Sequence, residues 1–276
     1  MRNSDWRYWP DGLIKAMRKT AGWLHLTLVG WVALFAALLA IAAASVGLLA
    51  VSHDVLDRGG LARRDPSNLN AVVHLRSGWS VEASRIVTQF GSVGVLLALA
   101  AAAGVLLWWR GARLGVVLAP LVALGLAASV VTVLKPLVNR ARPPLPLHLV
   151  TEGEPSFPSG HSTDSTALLL TIGLLVAVVV VRRPLARVVL VGASGLAAVL
   201  VGLSRLILGV HWPTDVLAGW TLGAVVGLLV TTVVLALPAT TPGPPEGARR
   251  LAHAWWRLER VANVRRSRAH PDPRAS

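Results

Sequence analysis

Three short stretches of the chain carry side chains that could do chemistry together. The first is Lys135, six residues, then Arg142-Pro143. The second is Pro158-Ser159-Gly160-His161. The third is Ser204-Arg205, five residues, His211, three residues, then Asp215. Pooled, they offer three cations, two imidazoles, one carboxylate and a glycine turn ahead of a helix start. Guanidinium and ammonium groups hold phosphate oxygens, and Arg can do so with two parallel bonds. One imidazole can attack phosphorus while another carries a proton to the departing group. The pattern points to a phosphate ester held by positive charge and attacked by a histidine.

Local context sharpens each stretch. Ser159 is placed to cap a helix that begins at the apolar run after His161, and Gly160 lets an anion approach the first amides of that helix. Pro213 suits the first turn of a following helix, leaving His211 just ahead of it. Asp215 can then reach back to one imidazole nitrogen and fix the tautomer; taken alone, it could instead be a favourable acid in a helix's first turn. Arg142 is the two-pronged phosphate clamp. Lys135, by itself, could simply extend its ammonium toward lipid headgroups. Asp164 either favours the helix dipole or pairs with a site arginine. Arg140, Glu152 and Glu154 lie in the loop between the first two stretches, where substrate selectivity could arise, and are expected to be solvated.

The elements that must position these residues are apolar. Of 276 residues, 54% are hydrophobic and 14% charged, against roughly 25% charged in a soluble domain. The apolar residues form runs of about 20, enough to cross a bilayer as a helix. Six spans are expected, at about 24–51, 91–109, 115–137, 162–181, 187–208 and 214–237, giving an all-α polytopic bundle. The breaks follow helix-end rules: Arg110-Gly111-Ala112-Arg113, Arg182-Arg183-Pro184 and Pro238. Residues 1–23 read as a basic N-terminal segment, 24–237 as the membrane domain with a long loop at 52–90, and 238–276 as a basic tail. Within the loop, residues 67–87 could form a helix on the membrane surface, as a connector or as a gate. In the tail, Leu251, Trp255, Leu258 and Ala262 recur at helical spacing among arginines, as in a basic interfacial helix. Trp109 and Trp212 fall at span ends, whereas Trp31 and Trp220 are expected to pack between helices.

Most Lys and Arg residues outside the three stretches lie in the N-terminal segment, the two tight turns and the tail. The positive-inside rule therefore puts both termini in the cytoplasm and the three stretches on the opposite face. The net charge of +14 is better matched to a bilayer with anionic lipids than to nucleic acid. With no cysteine in the chain, disulfides, thiolate catalysis and Cys-based metal sites are excluded. No His/Asp/Glu grouping has the spacing of a metal site. Gly219, Gly223 and Gly227 form a small-residue stripe that serves either the internal bundle or a homodimer.

The three stretches resemble the motifs of the type-2 phosphatidic acid phosphatase superfamily, which also includes bacterial acid phosphatases and vanadium haloperoxidases. The resemblance covers 135–143, 158–161 and 204–215, and every motif position is filled. It implies a membrane lipid phosphatase working without a metal. His211 would be the nucleophile, Asp215 its orienting group and His161 the acid that serves the leaving group. Lys135, Arg142, Arg205 and the amides around Ser159 and Gly160 would hold the phosphoryl oxygens. Among lipid phosphate substrates it favours undecaprenyl diphosphate, then phosphatidylglycerol phosphate and phosphatidic acid. The same residues would serve a lipid or sugar phosphotransferase, and a non-catalytic transporter or lipid-binding scaffold is the reading from another class.

Overall fold

A computed structural model of the chain describes residues 28–237. The N-terminal segment 1–23 and the tail 238–276, with its expected interfacial helix, lie outside the described residues. The chain divides after Ala40 into two units, and everything below concerns the second, from Ile41 onward.

Eight α-helices make up the described residues, with two short 3-10 turns at Ala62–Arg64 and Leu145–Leu147 and no strand. They are α1 (Leu28–Leu56), α2 (Asp65–His74), α3 (Gly78–Gln89), α4 (Val93–Trp109), α5 (Leu114–Val138), α6 (Gly160–Val179), α7 (Pro184–Ile207) and α8 (Pro213–Ala236). Helices α1, α5, α6, α7 and α8 are each long and apolar enough to cross a membrane. Helix α4, of 17 residues, joins α3 through a 54° bend, and the bent pair counted as one span gives six. The expected spans thus fall on these helices, with the first running on to Leu56. Leu97, Val122, Leu126, Leu196 and Leu229 are exposed along the bundle, as an apolar surface facing lipid would be.

The loop at 52–90 is more ordered than a connector needs. Pro66 starts α2 in its first turn. Ser77 and Ser80 cap α3 reciprocally, the Ser77 amide donating to Ser80 Oγ at 2.9 Å. Helix α2 packs on α7 and α8 through Leu69, Leu206 and Val216, while Leu75, Trp79 and Ile86 stay exposed.

Helix α6 lies at the centre, against α5, α7 and α8. Its face toward α8 is built from small and hydroxyl residues opposite the glycine stripe. A Cβ on Gly219 would stand 2.7 Å from Ser162 Cβ, and one on Gly223 would stand 2.5 Å from the Thr163 carbonyl oxygen. One on Gly227 would meet the Ala167 carbonyl oxygen at 2.8 Å. The stripe therefore serves internal packing, bringing two backbones close. Thr163 and Thr171 return their hydroxyls to carbonyls four residues earlier, at 2.9 and 2.7 Å, which satisfies them without water. Trp220 packs inward and donates to the Ala198 carbonyl. Trp31, expected between helices, lies in the first unit, before Ile41.

The helix ends set where chemistry can occur. Lys135 lies in the last turn of α5, His161 in the first turn of α6, Arg205 in the last turn of α7 and Asp215 in the first turn of α8. Successive antiparallel helices bring these ends to one side of the bundle. Asn139 stops α5 at φ 44°, a left-handed conformation that Asn tolerates. Gly209 turns the chain out of α7 at φ +74°. A Cβ there would run into the Leu147 carbonyl and the Arg76 guanidinium, so glycine is required.

Replacing Gly223 by Ala should separate α6 from α8, since the obstructing atom is backbone. The expected loss is about 1–3 kcal/mol, read as a lower midpoint of thermal unfolding in detergent. An unchanged midpoint would show that the two helices have slack.

Candidate active site

His211 is buried at the mouth of α8, 2% exposed. Its Nδ1 faces Asp215 Oδ2 at 3.3 Å, and its Nε2 stands 3.2 Å from Arg142 Nη1. A guanidinium can only donate. The lone pair is therefore on Nε2 and the proton on Nδ1, directed at the carboxylate. This is the tautomer a nucleophilic imidazole needs. Burial holds His211 down to about 4; Asp215 opposes that shift, while Arg142 and Arg205 add to it.

Asp215 is fully buried and fully engaged. Beyond the imidazole, Oδ2 accepts the Trp212 amide at 2.9 Å, and Oδ1 accepts Arg140 Nη1 at 2.5 Å. Its reach back from the first turn of α8 follows from that helix starting at Pro213.

The three cations are held by a glutamate pair just ahead of α6. Arg142 Nη2 lies 3.4 Å from Glu152 Oε2, and Arg205 Nη2 donates to Glu152 Oε1. Lys135 Nζ donates to Glu154 Oε2 at 2.6 Å. Burial would raise the Glu152 carboxyl, but Arg205 and Arg142 outweigh it and leave it below the usual carboxylate range. Glu154 is also lowered, mainly by its bond to Lys135. One carboxylate thus spans two guanidinium groups, as two phosphoryl oxygens would. Arg142 is fixed further by carbonyl contacts, Nε to Glu154 and Nη1 to Val210, both 2.7 Å. Arg205, 2% exposed, gives Nη1 to Thr88 Oγ1 at 2.7 Å.

His161 neighbours Arg205, Glu152, His211 and Lys135 closely enough for each to act on it electrostatically. Space for it depends on Gly91, at the bend between α3 and α4, where a Cβ would stand 2.9 Å from the imidazole Cδ2. Ser159 differs from expectation. It is fully buried, its amide is taken by the Asp215 carbonyl at 3.1 Å, and its Oγ accepts from Ser162 at 3.0 Å. Neither its side chain nor its amide is directed at an anion; it fastens α6 to α8. The helical ladder of α6 begins with Thr163 donating to Ser159. The amides of Gly160 and His161 stand ahead of that ladder, at the positive end of the helix dipole. Asp164 forms no ion pair among the described residues. Among the described residues there is also no cluster able to hold a metal ion.

Arg140 and Glu152 correct the sequence reading. Both were expected in a solvated loop; instead Arg140 pairs with Asp65 at 2.6 Å and Asp215 at 2.5 Å, and Glu152 bridges the phosphate-clamp arginines. The one local signal for Arg140 was its place two residues before Arg142, since residues two apart in an extended segment share a side. Asp65 had none, lying 150 positions from Asp215.

Residues 116–238 match the PAP2 superfamily. The chain is 32% identical over 167 residues to phosphatidylglycerophosphatase B of Bacillus subtilis, covering 60% of this chain and 81% of that protein. It is 39% identical over 113 residues to decaprenylphosphoryl-5-phosphoribose phosphatase of Mycobacterium tuberculosis, covering 39% of this chain and 55% of that one. Among solved structures, a transmembrane PAP2 type phosphatidylglycerolphosphate phosphatase from Bacillus subtilis superposes with a TM-score of 0.67 at 27% identity. That likeness covers 72% of this chain and 98% of the other.

A buried imidazole lowered to about 4 is in its free-base form throughout the neutral range. Catalysis that needs this form should be lost on the acid side only as pH falls toward 4, and kcat/KM against pH in detergent measures it. An acid limb centred at the ordinary histidine value would show that His211 does not supply that base.

Proposed function

This chain belongs to the PAP2 superfamily as a multi-pass membrane lipid phosphatase, and on that premise we propose that His211 takes the terminal phosphoryl group of a lipid phosphate or diphosphate. The observation that carries this reading is the pair of contacts on the His211 ring, a carboxylate at Nδ1 and a guanidinium at Nε2. They leave Nε2 as the nucleophile.

In the first step Nε2 bonds to phosphorus as the bond to the leaving oxygen breaks. His161 gives that oxygen a proton, and Asp215 balances the charge on the His211 ring. Arg142 and Arg205 exchange the Glu152 carboxylate for phosphoryl oxygens, and Lys135 and the amides of Gly160 and His161 complete the cage. In the second step water attacks phosphorus, the nitrogen–phosphorus bond breaks, and His161 takes the proton from the water. Free phosphate leaves and both rings return to their starting state.

The substrate's apolar part lies in the bilayer and its phosphate at the site end of the bundle. Arg110, Arg113, Arg182 and Arg183 mark the other end, which supports an extracytoplasmic site and cytoplasmic termini. The Bacillus relative's name moves phosphatidylglycerol phosphate ahead of undecaprenyl diphosphate as the first substrate to test, with phosphatidic acid third.

The test is phosphate release by the purified protein in detergent across those three lipids, with and without lipid and sugar hydroxyl acceptors. His211→Ala should lower release by roughly 10⁴-fold or more, the scale of losing a covalent nucleophile or its partner. Vanadate, which takes five-fold geometry, should compete with substrate. Undiminished release from His211→Ala would remove this residue from the chemistry.

A further inference from the structure

We propose that Arg140 and Asp65 are positioning residues for catalysis, holding Asp215 oriented so that it can in turn hold His211. The proposal rests on His211 being the nucleophile.

The geometry is a row of alternating charge. Asp215 Oδ1 accepts Arg140 Nη1 at 2.5 Å, and Arg140 Nη2 donates to Asp65 Oδ2 at 2.6 Å. Asp65 closes the row onto α8 by accepting the Thr214 amide on Oδ1 at 3.0 Å and the Thr214 hydroxyl on Oδ2. Three segments meet here: the start of α2, the stretch after α5 and the first turn of α8. Asp65 is 1% exposed and Asp215 fully buried. The Arg140 guanidinium lies 5.8 Å from the centre of the Trp212 ring, which walls its open side.

Charge accounting explains the arrangement. Two buried carboxylates on one guanidinium would repel each other without that cation between them. With Arg140 in place the row carries one net negative charge. That single charge offsets the positive ring formed when His211 takes a phosphoryl group. Removal of Arg140 takes away the donor on Oδ1 and leaves Asp215 free to turn from Nδ1. Removal of the Asp65 charge frees Arg140 to swing and loosens the first turn of α8, which carries Asp215.

Arg140 is also distinct from the phosphate clamp. It and Arg142, two positions apart, take opposite sides of one assembly. Arg142 meets the attacking nitrogen, Nε2, while Arg140 meets the carboxylate behind Nδ1. Its Nη1 is shared by Asp215 and the Thr214 hydroxyl and its Nη2 is taken by Asp65, so its terminal nitrogens face this row and not the clamp.

The experiment measures kcat and KM of the purified full chain in detergent for Arg140→Gln, Arg140→Lys and Asp65→Asn, alone and combined with Asp215→Asn. Arg140→Gln and Asp65→Asn should lower kcat by about 10–100-fold, as loss of an outer orienting partner does, with KM and inhibition by orthophosphate little changed. Arg140→Lys should recover part of kcat. In the Asp215→Asn background, Arg140→Gln should cost almost nothing further, because its route of action is already gone. A raised KM at unchanged kcat would make Arg140 a substrate-binding residue and overturn the proposal. Full multiplication of the two losses would overturn it too. Should Arg140→Gln fail to fold, wild-type kcat in both Arg140→Lys and Asp65→Asn would overturn it equally. Activity retained by His211→Ala would sink the nucleophile itself. Wild-type kcat in Arg140→Gln beside an inactive His211→Ala would sink only the positioning pair.

Discussion

An ionised side chain at the dry end of a helix bundle persists only if an opposite charge reaches it. At the site end of this protein the ion pairs join different segments, while Asp164 has none among the described residues. Glu152 answers Arg142 and Arg205, Glu154 answers Lys135, and Arg140 answers both Asp65 and Asp215. These partners draw α2, α5, α6, α7 and α8 to one point. The imidazole of His211 sits where the two sets meet, with cations in front and a carboxylate behind. Its free-base form at neutral pH follows from burial among positive groups and needs no dedicated device.

The close approach of α6 and α8 makes this convergence possible. Glycines at 219, 223 and 227 let α8 lie against the backbone of α6, so the first turn of each helix borders the same space. The Ser159 amide bonded to the Asp215 carbonyl fastens the two turns. The bend between α3 and α4 then brings Thr88 to Arg205 and Gly91 to His161. Packing and chemistry share residues here, because the helix starts that close the bundle also carry the reacting groups.

Much of this was legible in the chain. Apolar runs of spanning length gave the helices, and Pro184 and Pro213 stand where two of their ends fall. His211, Asp215, Arg142 and Arg205 could be read because helix-start and spacing rules constrain them within a dozen residues. Residues whose roles depend on a partner far away could not. Glu152 and Arg140 look like ordinary loop charges until the arginines and carboxylates they meet are folded beside them. Ser159 misled for the opposite reason: its cap position is real, but a neighbouring helix took its amide. The segment at 52–90 has no long apolar run, so nothing local shows that α2 and α3 form a wall of the site.

Asp65 stands some fifty positions upstream of the stretch that matches the family pattern. The recognisable core therefore holds one of the two carboxylates that Arg140 pairs with and lacks the other. A chimera joining residues 116–238 to the leading half of a relative would inherit Arg140 with its outer prong empty, unless the donor loop also supplies an acid at that spot. Exchange between such proteins is constrained accordingly: the front loop and the catalytic core have to be traded as one inheritance.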